Sequence, residues 1–102
     1  MQYTVVHARA ARVHDELSDA ARLRSWRVHS TRYTDVLADI EDRRPALDDA
    51  VRAVRAGLAD CVLTPARYAL PPDDNHYEQI LRRLHEHRGF VAFSNPDAVD
   101  PR

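Results

Sequence analysis

Arg9 and Arg67 carry the most specific chemistry in this chain of 102 residues. Each follows a segment that reads as a β-strand, and open parallel sheets bind ligands beyond the carboxyl ends of their strands. Two guanidiniums converging at that edge hold a phosphate or a carboxylate through forked hydrogen bonds. The competing arrangement neutralises each arginine locally, with Asp35 and Asp73 as the candidate acids.

The other reactive side chains point away from chemistry. Six histidines invite a metal ion, but His85 and His87 stand two apart on a helical segment and face different directions. His7, His14 and His29 lie in no HExxH or paired-ligand context, so no metal is expected. Cys61 with His7 or His29 would make a thiol–imidazole pair. Its place inside an apolar run instead predicts a core cysteine with a raised pKa. An unrelated enzyme built on His7, Cys61 or Ser94 would need a convergence that the spacing does not show. The only glycines, Gly57 and Gly89, stand at helix ends, so a phosphate-cradling loop is absent and no cofactor is expected. Arg22, Arg24, Arg27 and Arg32 come nearest to a basic stripe, and a solvated helix surface accounts for them.

The elements that must position these residues centre on Pro45–Thr64. Pro45 suits a first helical position, and Asp48 and Asp49 oppose the dipole in the first turn. Leu47, Ala50, Val51, Val54 and Leu58 recur on one face, with Arg52 and Arg55 off it. Gly57 closes the helix, and Cys61-Val62-Leu63 reads as a strand covered on both sides. Upstream, Tyr3–His7 is a first strand. A helix runs from a capping Asp15 to about Arg24 with Leu17, Ala20 and Ala21 inward. Trp26–Thr31 is a second strand near an edge.

Tyr33–Arg44 reads as a mobile connecting loop with a short helical turn at Val36, Leu37 and Ile40. Downstream, Pro65, Pro71 and Pro72 mark a loop. Asn75 with Glu78 forms a capping-box pattern that opens a helix. Tyr77, Ile80, Leu81 and Leu84 line that helix, Gly89 ends it, and Phe90–Phe93 is the last strand. The order predicts a three-layer αβα domain over residues 1–95, with about four mostly parallel strands and right-handed crossovers. Residues 96–102 form a polar tail.

Composition sets the outer bounds. With 15 basic and 16 acidic residues the net charge is −1, so no global field draws nucleic acid or an anionic membrane. Every basic residue is arginine, which fits the codon usage of a GC-rich genome. One cysteine permits no internal disulfide, and no apolar run reaches the ~20 residues of a membrane span. A cytoplasmic setting is the expectation.

Several motifs together resemble the N-terminal catalytic domain of the serine recombinases, the resolvase/invertase family. His7-Ala8-Arg9-Ala10-Ala11 stands where that family has a Tyr-Ala-Arg-Val-Ser motif at the end of its first strand. Ser25-Trp26-Arg27-Val28 and Tyr33-Thr34-Asp35 are similar to its second strand and the segment after it. Arg43-Arg44-Pro45-Ala46-Leu47 matches its Asp-Arg-Pro-x-Leu helix start. Val54–Leu63 matches its Val-Arg-Ala-Gly helix end and the hydrophobic strand beyond. Ile80–Asn95 is similar to its last helix and strand.

The resemblance implies three anion-contacting positions, Arg9, Arg44 and Arg67. It also places the family's nucleophilic serine at Ala11, which has no hydroxyl to attack a phosphodiester. The family's Asp-Arg-Leu-x-Arg motif falls on Ala66-Arg67-Tyr68-Ala69-Leu70, where only the first arginine remains. The long dimer helix and DNA-reading helices of the family have no counterpart. The expectation is therefore a catalytically inactive, recombinase-like module that acts through protein–protein contacts or self-association. The alternative is residual nucleic-acid or phosphate binding through Arg9, Arg44 and Arg67. Neither reading calls for a membrane.

Overall fold

The computed structural model describes residues 3–35 and 44–97. Its strands are β1 (Tyr3–Ala8), β2 (Arg27–Thr34), β3 (Cys61–Thr64) and β4 (Phe90–Phe93). They form one sheet in the order β2-β1-β3-β4, and every neighbouring pair is parallel. The α-helices are α1 (His14–Leu23), α2 (Pro45–Arg55) and α3 (Asp74–His85), with 3-10 turns at Ala11–Val13 and Arg67–Ala69, and none of the described helices is long and apolar enough to cross a membrane.

The pleat of β1 sorts the core into two faces. Val6 and Ala8 pack with Leu63 against Leu17 and Ala21 of α1. Val5 packs with Val62 against Leu47, Ala50, Val51 and Val54 of α2 and Ile80 and Leu84 of α3. The sheet is thus covered on both sides, as the apolar run of β3 requires, and the three-layer arrangement holds.

Several local details differ from the sequence reading. β2 reaches Thr34 because the β1 ladder shifts register between Thr4 and Val6, absorbing two extra residues of β2 around His29–Thr31. Tyr33 and Thr34 therefore belong to the strand, and the proposed turn at Val36, Leu37 and Ile40 lies outside the described residues. α1 starts at His14 after a 3-10 turn (Ala11–Val13), so Asp15 sits inside its first turn and does not cap it. Asp73, not Asn75, caps α3: its carboxylate accepts the Asn75 N–H at 2.8 Å. Leu58 lies past the end of α2 and is exposed.

All three helices close the same way. Trp26 N–H reaches Ala21 C=O, Leu58 N–H reaches Ala53 C=O, and Gly89 N–H reaches Leu84 C=O, at 2.9, 2.9 and 2.7 Å. The preceding residues Ser25, Gly57 and Arg88 take φ of 59°, 82° and 59°, which is the left-handed closure that favours glycine. Arg88 therefore holds a conformation that costs an L-residue about 1–2 kcal/mol, against the larger chain entropy that glycine loses on folding. Arg88→Gly is expected to raise stability by about 0.5–1 kcal/mol, read as a higher urea midpoint at unchanged slope.

Gly89 itself serves a different purpose. Its φ is not left-handed, but a Cβ there would lie 2.6 Å from Val54 Cγ1 and 3.3 Å from both Asp60 O and Leu84 O. The residue is small because α2 crosses it.

Candidate functional site

The carboxyl edge of the sheet gathers the polar groups that the sequence singles out, and gives one of them, Asp35, a different partner. Asp35 directly follows β2, and its N–H continues the ladder to Ala8 C=O at 2.9 Å. Its carboxylate accepts from Ala46 N–H at 2.8 Å, from Leu47 N–H at 3.0 Å and from His7 Nε2 at 2.8 Å. The first two are open donors of the first turn of α2. Asp35 therefore caps α2 from ten residues before the helix starts, while Arg44, immediately ahead of Pro45, makes no side-chain cap bond. Burial alone would raise the pKa of Asp35, but the bonds from His7, Ala46 and Leu47 outweigh it and hold the carboxyl below its ordinary value.

An ionised carboxylate only accepts, so the His7 Nε2 facing it carries the proton. His7 Nδ1 lies 3.2 Å from Thr64 Oγ1 and, in the neutral ring, accepts from that hydroxyl. Hydroxyl, imidazole and carboxylate in this order can activate an oxygen nucleophile. Access decides against it here: His7 and Thr64 are 0% exposed and Asp35 5%. The group ties the carboxyl ends of β1 and β3 to the start of α2.

Around this buried knot stand the arginines. Arg9 follows β1 and Arg67 lies in the 3-10 turn Arg67–Ala69 after β3, so neighbouring parallel strands place both at one edge. Arg44 is buried at the start of α2, and that helix end lies at the same edge. Arg67 is engaged locally: Nη1 donates to Pro71 C=O at 2.6 Å, Nη2 lies 3.6 Å from Asp74, and the guanidinium stacks 3.9 Å over Tyr77. Its acid is thus Asp74, not Asp73, and Asp35 is committed to His7 and α2. Arg9 Nε is buried and has no hydrogen-bond partner among the described residues. Ala11 opens the turn after β1 with its methyl exposed, and Leu70 is buried at 1% exposure.

The remaining candidates stay in the framework. Cys61 is buried and bonded to Thr4 Oγ1. Burial pushes its thiol pKa up, with the Thr4 bond opposing and Asp60 adding to the rise. Such a thiol is a poor nucleophile. Among the described residues no three His, Cys, Asp or Glu side chains are grouped to hold a metal ion.

His14, the first residue of α1, is 1% exposed; its Nε2 meets Thr34 Oγ1 at 2.7 Å, and its Nδ1 is buried with no partner among the described residues. Burial lowers its pKa from 6.5, Arg32 and His7 lower it further, and Asp15 opposes. Between the lowered folded value and 6.5 the unfolded chain binds the proton first, so acid favours unfolding. Stability is expected to be full above pH 6.5 and to fall as pH drops through the folded value. A second fall begins below 3.8, where Asp35 of the unfolded chain takes up its proton first, and continues as pH drops through the lowered folded value. Urea midpoints from neutral to acidic pH test this, and His14→Gln should remove the first limb alone.

Comparison with known proteins bears on the fold. No family model matches the chain, and no curated protein is similar to it. Among solved structures, it is similar to the C-terminal catalytic domain of ISC1926 TnpA, an IS607-like serine recombinase. That match has a TM-score of 0.74 and 13% identity over 93% of this chain and 72% of the other. It is also similar to the first ORF in transposon ISC1904 from Sulfolobus solfataricus P2, with a TM-score of 0.68 and 12% identity over 100% and 73%. The chain therefore has the α/β fold of a serine recombinase catalytic domain.

Proposed function

We propose that the chain is a non-catalytic, recombinase-like module that works through protein–protein contacts or self-association. Ala11 carries this reading. It stands exposed in the turn beyond the central strand, where the motif resemblance puts the nucleophilic serine, and it offers only a methyl group. Arg67 is occupied by its own loop and Leu70 replaces a second arginine, so two of the groups that would steady a pentacovalent phosphate are spent or missing. One buried, unpaired cysteine suits a cytoplasmic setting.

Neither the natural chain nor Ala11→Ser is expected to form a covalent protein–DNA adduct with supercoiled plasmid, as judged on a denaturing gel. An adduct with the natural chain would overturn the reading. So would a protein that sediments as a monomer at every concentration and captures no partner on cross-linking.

Arg9 favours a second reading, because its buried Nε lacks a hydrogen-bond partner among the described residues. On this reading Arg9, Arg44 and Arg67 bind nucleic-acid phosphate weakly, with affinity falling about one log unit per contact over a tenfold rise in salt. Binding that survives Arg9→Ala with Arg67→Ala would refute it.

A further inference from the structure

We infer that the amino edge of the sheet is an interface for the acidic carboxyl edge of a second copy of this chain. The inference rests on the self-association reading and names its two surfaces. Each helix runs antiparallel to the strands, so all three begin at the carboxyl edge and end at the amino edge. Arg24, Arg27, Arg55, Arg82, Arg83 and Arg88 therefore lie toward the amino edge. Glu16, Asp48, Asp49, Asp73, Asp74 and Glu78 lie toward the other, where they outnumber Arg9, Arg12, Arg44 and Arg67. A net charge of −1 conceals this separation.

Helix dipoles favour part of that distribution, but three features go beyond it. Arg27 belongs to a strand and stacks 5.7 Å from the Tyr3 ring centroid, while Arg24 stacks 5.5 Å from that of Trp26. Both guanidiniums are exposed, held in place by rings, and without an ion-pair carboxylate among the described residues. Arg88 occupies a left-handed position where glycine would be cheaper. Leu23 and Leu58 are 87% and 55% exposed at the ends of α1 and α2, giving the same edge apolar surface beside its arginines. Such a surface fits an acidic partner. The chain's own opposite edge supplies one, since Glu16, Asp48 and Glu78 make no ion pair among the described residues.

Contact between two different edges is heterologous, so assembly extends past the dimer unless the ring closes. Sedimentation velocity of the full chain should show concentration-dependent association near 0.01 M salt and its loss near 1 M, where the Debye length falls from ~30 to ~3 Å. Arg24→Gln/Arg27→Gln/Arg88→Gly removes three positive charges from the amino edge, and Glu16→Gln/Asp48→Asn/Glu78→Gln removes three negative charges from the carboxyl edge. Each variant alone, checked for folding by circular dichroism, should associate roughly tenfold more weakly or worse. An equimolar mixture should form a heterodimer that grows no further, because each variant keeps one intact edge.

Association that persists in both variants, or strengthens with salt, overturns the inference while leaving self-association intact. A monomeric natural chain that captures a different protein also overturns it and leaves the broader reading standing. A monomer that captures nothing ends both.

Discussion

Asp35→Ala should destabilise the fold by about 3–5 kcal/mol, the range for removing one partner of a buried charged contact. One side chain here accepts three hydrogen bonds: from His7, Ala46 and Leu47. Its loss leaves a buried imidazole N–H and two helix N–H groups, the Leu47 one buried and the Ala46 one half-buried, without their acceptor. A domain of this size has only about 5–15 kcal/mol in total, so the variant should sit near the edge of folding. Asp35→Asn is the sharper control. It preserves shape but turns one acceptor into a donor facing N–H groups, so it should remain clearly destabilised. Urea unfolding followed by the fluorescence of half-buried Trp26 measures both. A loss below about 1 kcal/mol for the alanine variant would show that the three bonds contribute no more than one ordinary hydrogen bond.

Gly89→Ala is expected to cost about 1–3 kcal/mol through overpacking. The added methyl meets the Val54 side chain at 2.6 Å, and backbone oxygens of Asp60 and Leu84 bound it on other sides at 3.3 Å. Neither Val54, buried between α2 and the sheet, nor the two carbonyls can yield freely. The cause is steric and local, so a double-mutant cycle identifies it. In a Val54→Ala background the same substitution should cost much less than in the natural chain. Equal costs in the two backgrounds would mean that Val54 is not what excludes the methyl.

These two effects mark where sequence reading succeeded and where it stopped. α2 and β3 were legible because their signals are local: Pro45 at the first helical position, apolar residues every three or four positions, Gly57 at a left-handed closure. β4 was read to its observed bounds, Phe90–Phe93. The parallel, three-layer order followed from alternating strands and helices. Gly89 was visible only as a punctuation residue. The left-handed position falls on Arg88 instead, and the need for a missing side chain at Gly89 comes from a helix more than thirty residues earlier in the chain.

Asp35 shows the same division at the candidate site. In sequence it is an acid after a strand, offered as a partner for Arg9 or Arg67. In the structure it caps a helix beginning ten residues later and bonds a histidine 28 positions away. The motifs placed Arg9 and Arg67 at one edge, because strand order determines where strand ends lie. Strand order is silent on which way a guanidinium turns, and Arg67 turns to its own loop, onto Pro71, Asp74 and Tyr77.

Residue types and their spacing carry the elements, their parallel stacking, the buried character of Cys61 and the absence of a hydroxyl at Ala11. All of these depend on residue type or on periodicity within one segment. The packed fold brings His7, Asp35 and Thr64 into one closed knot, sets Gly89 against Val54, and separates charge between the two edges of the sheet. Each of those depends on groups distant in sequence, whose proximity is set by the sheet's topology and side-chain packing, not by any local pattern.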